Sequence, residues 1–204
     1  MKALQRVWLG LMILALSPAA LAFSMERFVE GTHYEVLADL PREENKVVEF
    51  FSFGCPHCFH LEPAVEAWLH NSKPDAVTFE RVPATWNSNF ETLGKLYYVI
   101  EELGVADKAM PAVFAYIHEQ NETISGREDA KALLTTLGVS PEAFAAAWSD
   151  EQVTSHTLQA GRVFARYKIR GVPAFVVNGR YKTSVRDAGG EQALFEVINF
   201  LLQK

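Results

Sequence analysis

The chain has 204 residues, 49% of them hydrophobic, 12% aromatic and 22% charged, a globular composition that excludes disorder and collagen-like repeats. Nineteen basic residues against 25 acidic ones give a net charge of −6, and without a basic excess to neutralise phosphates, nucleic acid is not expected as a partner. Two cysteines are too few for a disulfide-stapled scaffold, and a chain this long can bury its own core.

The N-terminus reads as an export signal. Lys2 and Arg6 precede an uncharged apolar run from Val7 to Leu16, and Ala20-Leu21-Ala22 supplies small residues for cleavage. The run is short for a bilayer span, and Pro18 interrupts its end. Cleavage after Ala22 removes Lys2 and Arg6 but no acid, so the net charge moves from −6 to −8. The mature chain is expected to be exported to a compartment where disulfides persist.

His33 to Leu37 and Lys46 to Phe53 read as strands, the second β-branched and aromatic as a strand covered on both faces would be. Gly54 ends it, and Pro56 opens a helix reaching about Ser72, with Pro63 expected to kink it. Ala76 to Val82 is a third strand. Helical periodicity then takes over, in Asn89–Leu103, in Pro111–Glu119, and in Arg127–Leu137 with Gly138 as its cap. Ser140-Pro141 starts another helix, and a longer one runs from Glu151 to Tyr167. Strands return at Ala174–Val177 and Arg180–Thr183, joined by Asn178-Gly179, a pair suited to a tight hairpin turn. Leu194, Val197, Ile198 and Leu201 mark a closing helix. This order predicts one α/β domain with an all-helical block inserted in it. The α/β part is residues 23–84 and 168–204, the insertion is 85–167, and the last inserted helix is shared between them.

Cys55-Pro56-His57-Cys58 falls between a buried strand and the first turn of a helix. A helix N-terminus offers unpaired N–H groups and partial positive charge, which favour a thiolate at Cys55. His57, when protonated, adds to that. Cys58, about one turn in, is expected to be buried and poorly ionised. Stabilising the thiolate stabilises the dithiol over the disulfide, so the disulfide becomes an oxidant, by about 30 mV for each pKa unit. A lone C-x-x-C also suits a structural disulfide or half a zinc site. Zinc would need two more ligands, and no second C-x-x-C exists.

The segment from Phe50 to Cys58, together with Arg170-Gly171-Val172-Pro173-Ala174, closely resembles the DsbA family of bacterial periplasmic thiol:disulfide oxidoreductases. The resemblance covers essentially the whole mature chain and implies a thioredoxin fold around the helical insertion. It implies catalytic Cys55 and Cys58, with Pro56 and His57 tuning their redox behaviour. It also implies that Val172-Pro173 is a cis-proline loop opposite the dithiol that binds substrate backbone. A carboxylate at Glu49 is costly to bury unless paired or protonated, and its match to the family's buried acid makes it a proton relay for Cys58. The competing reading places it facing solvent or pairs it with a nearby lysine. His60, Trp68 and His156 read as packing or surface residues, and Phe59 as packing under the helix start. Trp86 and Phe90 suit either a groove rim or core.

The expected activity is therefore a monomeric periplasmic oxidase that needs no cofactor beyond its own disulfide. It would donate the Cys55–Cys58 disulfide to unfolded exported proteins and, by the resemblance, be reoxidised by a quinone-linked membrane partner of the DsbB type. Its rivals are an isomerase or reductase, and a peptide-binding or chaperone module whose disulfide is structural.

Overall fold

The computed structural model describes residues 26–204. The proposed signal segment, with Lys2, Arg6 and the Ala22 cleavage point, lies outside the described residues.

Five strands form a mixed sheet: β1 (Glu35–Val36), β2 (Lys46–Phe51), β3 (Thr78–Pro83), β4 (Ala174–Val177) and β5 (Tyr181–Thr183), in the order β1-β5-β4-β2-β3. β2 runs parallel to β3, while its pairing with β4 and the β4–β5 and β1–β5 pairings are antiparallel. A parallel pair needs a crossover, and α1 (Pro56–Asn71) supplies it between β2 and β3. The hairpin turn forms as its residues require, with φ +52° at Asn178 and +66° at Gly179. A side chain at Gly179 would also meet the Pro41 carbonyl at 2.9 Å.

Between β3 and β4 the chain is helical: α2 (Ser88–Glu102), α3 (Ala106–His118), α4 (Arg127–Thr136), α5 (Pro141–Ser149) and α6 (Glu151–Arg166). Caps fix several starts: the Asn87, Ser140 and Asp150 side chains accept from N–H groups in the first turns of α2, α5 and α6. After β5 come the single turn α7 (Val185–Ala188) and the closing α8 (Glu191–Leu202).

Alternation along β2 assigns its two faces. Val47 packs with α1 and α8 through Leu61, Val65, Leu194 and Ile198. Val48 and Phe50 pack on the opposite face against α6, where the Phe50 and Phe164 rings meet edge to face with centroids 4.9 Å apart. The inserted helices close a separate apolar core around Leu96, Ile100, Phe114, Leu134 and Phe144, into which Phe51 and Phe53 project from the sheet side. Helix α6 thus serves both parts.

Several boundaries differ from the sequence reading: β2 ends at Phe51 rather than Phe53, where the chain turns into α1, and β3 spans Thr78–Pro83 rather than Ala76–Val82, following its pairing with β2. β1 spans Glu35–Val36 rather than His33–Leu37, because Tyr34 bridges to Glu30 and Leu37 bonds Arg180 beyond the ladder. α3 begins at Ala106, not Pro111. Ala109 and Met110 extend its buried face, so Pro111 sits inside the helix on the exposed side at the cost of one backbone bond. α7 was not foreseen, since one turn capped by Ser184 carries no periodicity.

Candidate active site

The turn before α1 places the dithiol. The Cys55 N–H donates to the Ser52 carbonyl at 3.1 Å and the Gly54 N–H to the Ser52 hydroxyl at 3.1 Å, folding β2 sharply into the helix. Cys55 is then the N-cap, in extended conformation, with Pro56 at the first helical position. Proline has no N–H to leave orphaned there, so the N–H groups of His57 and Cys58 are the ones turned toward the Cys55 sulfur. The two cysteines are unbridged; Cys55 is half-buried and Cys58 buried.

Their acidities diverge. The Cys55 thiol is lowered to about 6, first by a hydrogen bond from Cys58, then, against the cost of burial, by the backbone N–H groups of Cys58 and His57 and the His57 charge. The Cys58 thiol is pushed well up, because it donates that hydrogen bond, is buried, and faces the charges of Cys55 and Glu49. His57 itself is exposed.

Val172 and Pro173 reach the same sulfur. Their peptide bond is cis, and the Val172 carbonyl oxygen lies 3.5 Å from Cys55 Sγ. A protonated Cys55 can donate to it; a thiolate cannot. The loop also forms one wall of a groove of about 910 Å³ that runs past His57 and His60 toward β5 and α7.

Glu49 is buried rather than solvent-facing, and its partner is an arginine. Register sets Glu49 opposite Arg81 on β3, and Arg81 Nε donates to Glu49 Oε2 at 2.8 Å. Arg81 Nη2 also donates to Glu62 at 2.9 Å and Glu66 at 3.0 Å, both on α1. Three carboxylates around one cation cannot all ionise comfortably in a low-dielectric site. Burial, opposed by Arg81, raises Glu49; burial and the charges of Glu49 and Glu66, again opposed by Arg81, push Glu62 up to about 8.

Arg81, Glu62 and His118 escaped the sequence reading. The first two left a signal: Arg81 occupies the position across from Glu49 once the two strands are paired, and Glu62 follows Cys58 by four residues on one helix face. His118 left none, since only tertiary packing brings α3 to the dithiol loop. Its Nε2–H donates to the Phe53 carbonyl at 2.7 Å, and its ring stacks on Phe59 at 5.0 Å. The remaining aromatics lie away from the groove. Trp68 is buried and donates to Asn199, His156 packs on Tyr98, and Trp86, 47% exposed, contacts Phe90 and Phe164. Among the described residues no cluster of His, Cys, Asp and Glu is arranged to hold a metal.

Comparison with known proteins decides the family. The family model for the DSBA-like thioredoxin domain matches residues 76–198, and similar proteins extend the match across the dithiol. The thiol:disulfide interchange protein DsbA of Azotobacter vinelandii is 33% identical over 196 residues, covering 96% of this chain and 90% of that protein. The chain belongs to the DsbA family. The DsbA of Burkholderia cepacia is likewise 33% identical, over 92% of this chain and 87% of its own. The crystal structure of Pseudomonas aeruginosa DsbA superposes with a TM-score of 0.81 at 28% identity, covering 86% of this chain and 93% of that one. A cysteine-to-serine variant of Proteus mirabilis DsbA, solved with a non-covalently bound peptide PWATCDS, gives 0.74 at 28% identity, over 87% and 99%. The fold is thioredoxin-like, and the protein is a thiol:disulfide oxidoreductase, as the sequence motifs implied.

Proposed function

We propose that the protein oxidises exported polypeptides, with Cys55 as the sulfur that substrate attacks and Cys58 as the sulfur that is released. A substrate thiolate attacks Cys55 Sγ in the disulfide state; the Cys55–Cys58 bond breaks, and its electron pair leaves on Cys58. The substrate's second thiolate then attacks the substrate sulfur of the mixed disulfide, and Cys55 departs as a thiolate. Two electrons pass from substrate to protein, leaving a substrate disulfide and the Cys55–Cys58 dithiol. No other redox group enters the reaction. The observation that carries this direction is the lowered pKa of the half-buried Cys55, since a good leaving group makes the second step fast.

Released Cys58 must take up a proton, because its environment disfavours a thiolate. Glu49, which acts on Cys58 through its charge and shares Arg81 with Glu62, is the proposed relay. Pro56 and His57 tune Cys55 through the helix start, and Val172-Pro173 supplies main-chain contacts to an extended substrate, a strand-addition mode that reads little sequence. The bound peptide in the Proteus mirabilis relative supports a peptide substrate here. The proposed division is a thioredoxin-like part, residues 23–84 and 168–204, around a helical insertion, 85–167. The proposed setting is the periplasm, after signal cleavage at Ala22, with the protein acting as a monomer. Reoxidation would come from a quinone-linked membrane oxidase of the DsbB type. No helix of the described residues is long and apolar enough to cross a membrane.

A redox titration against dithiothreitol tests the direction. An oxidase should equilibrate far above thioredoxin's potential of about −270 mV, and Cys55→Ser should abolish turnover while Cys58→Ser accumulates mixed disulfides. A potential at or below thioredoxin's would identify a reductant instead.

A further inference from the structure

The groove beside Cys55 has a charge opposite to that of the protein. The chain carries a net −6, yet the groove is lined by Lys168, Arg170, Lys182 and Arg186 against only Asp187 and Glu191. Local pairing sharpens the difference. Lys182 Nζ lies 2.7 Å from Glu35, and Lys168 Nζ is 3.9 Å from Asp39, so these two are partly neutralised. Arg170 and Arg186 are exposed and, among the described residues, make no ion pair. The two acids are engaged elsewhere: Asp187 accepts from the Ser184 hydroxyl at 2.7 Å at the start of α7, and Glu191 sits in the first turn of α8, where a helix N-terminus favours negative charge. Two unmatched guanidinium groups therefore flank the path leading away from the reactive sulfur.

Arg170 is two residues from Val172, whose carbonyl adjoins Cys55 Sγ, so a chain whose thiol attacks Cys55 can extend along the groove past Arg170. We propose that Arg170 and Arg186 make this enzyme select cysteines embedded in acidic, extended segments. The inference rests on the oxidase reading above and names its substrate class. Guanidinium groups match carboxylates in pairs of parallel hydrogen bonds, which a main-chain contact at Val172 alone does not provide. Because the rest of the surface is acidic, the attraction is confined to the groove and acts once the segment is docked, within a Debye length of about 10 Å at 0.1 M salt.

The test uses three unstructured dicysteine peptides that differ solely in having Glu, Gln or Lys beside the cysteines. Each oxidation rate is divided by the same peptide's rate with hydroxyethyl disulfide, a small neutral oxidant, which removes the effect of neighbouring charge on thiol reactivity. For the wild-type protein at low salt, the normalised rate should be about threefold to tenfold higher for the Glu peptide than for the Gln peptide, the size expected of two exposed ion pairs, and lowest for Lys. High salt should collapse the ratios toward one. The Arg170→Glu/Arg186→Glu variant should reverse the ranking, a comparison made within one protein and so independent of its absolute activity. Equal normalised rates for the wild type, or a ranking insensitive to salt, would overturn the acidic preference, as would a ranking unchanged in the variant. Oxidation of neutral dithiothreitol by the wild type separates the two readings: if that fails, the oxidase reading itself falls.

Discussion

The mouth and the floor of the dithiol site lie one helical turn apart and treat the same side chain in opposite ways. At the mouth, Cys55 meets the sulfhydryl of Cys58, two backbone N–H groups and the charge of His57, and its thiol is lowered to about 6. At the floor, Cys58 lies buried near a carboxylate cluster, and its thiol is pushed up. Donors that can point at Cys55 exist because it caps a helix; Cys58, inside the helix, has lost that advantage. In the proposed reaction these positions set the roles: the accessible sulfur is the leaving group, and the hidden one collects a proton.

The floor is the more vulnerable to substitution. Replacing Arg81 with methionine leaves Glu49 and Glu62 buried without their cation, a loss expected to cost about 3–5 kcal/mol. Protonation of the two acids relieves part of that, so urea unfolding should show a larger loss at pH 8 than at pH 5. Equal losses at both would mean the carboxylates are neutral in the wild type as well.

The mouth governs how stability depends on redox state. Cys55 has a depressed folded pKa, so its contribution to the dithiol form is fully present above the unfolded value of about 8.5 and is lost as pH falls through about 6. The disulfide has no such group. The dithiol form should therefore have the higher urea midpoint at neutral pH, with the gap narrowing as pH is lowered through 6. A disulfide form that is more stable throughout would mark a structural bridge.

Changes at the edges of the mouth should be milder. Pro173→Thr alters the loop whose neighbouring carbonyl lies against Cys55, and mixed disulfides should resolve on the order of tenfold more slowly, as when a positioning contact is lost. Non-reducing gels of periplasmic extract should show complexes that vanish when Cys55 is also changed to serine. The smallest effect is expected at His118. His118→Leu keeps apolar bulk against Phe59 but removes the donor to the Phe53 carbonyl, costing about 1 kcal/mol by urea unfolding.

The mouth was far more legible in the sequence than the floor. Strand, C-x-x-C and proline at the first helical position are consecutive, so local chemistry alone predicts where Cys55 sits and why it is acidic. Most of the helices were readable from periodicity, and Ser140 marked the start of α5, where its hydroxyl accepts from the Ala143 N–H. The floor is assembled from β2, β3 and α1, and its identity depends on register. Glu49 could be singled out as an acid in an apolar strand, but its partner follows only once Glu49 is set opposite Arg81. The Arg170–Arg186 wall is non-local too, since the loop before β4 and the short α7 meet only in three dimensions. Pro111 shows the converse error: a residue that locally suggests a helix start is carried inside α3 because buried Ala109 and Met110 outweigh one missing bond.

The opposed acidities of the two sulfurs are tested most directly by following the ultraviolet absorbance of the thiolate against pH in the fully reduced protein and in Cys58→Ser. The wild type should show a single transition near 6 that belongs to Cys55, with no second thiolate appearing up to about pH 9. In Cys58→Ser the transition should persist near the same pH, because a serine hydroxyl, a stronger donor than a thiol, can still donate to the Cys55 sulfur. A wild-type transition at or above about 8.5, the value of an unperturbed cysteine, would contradict the account.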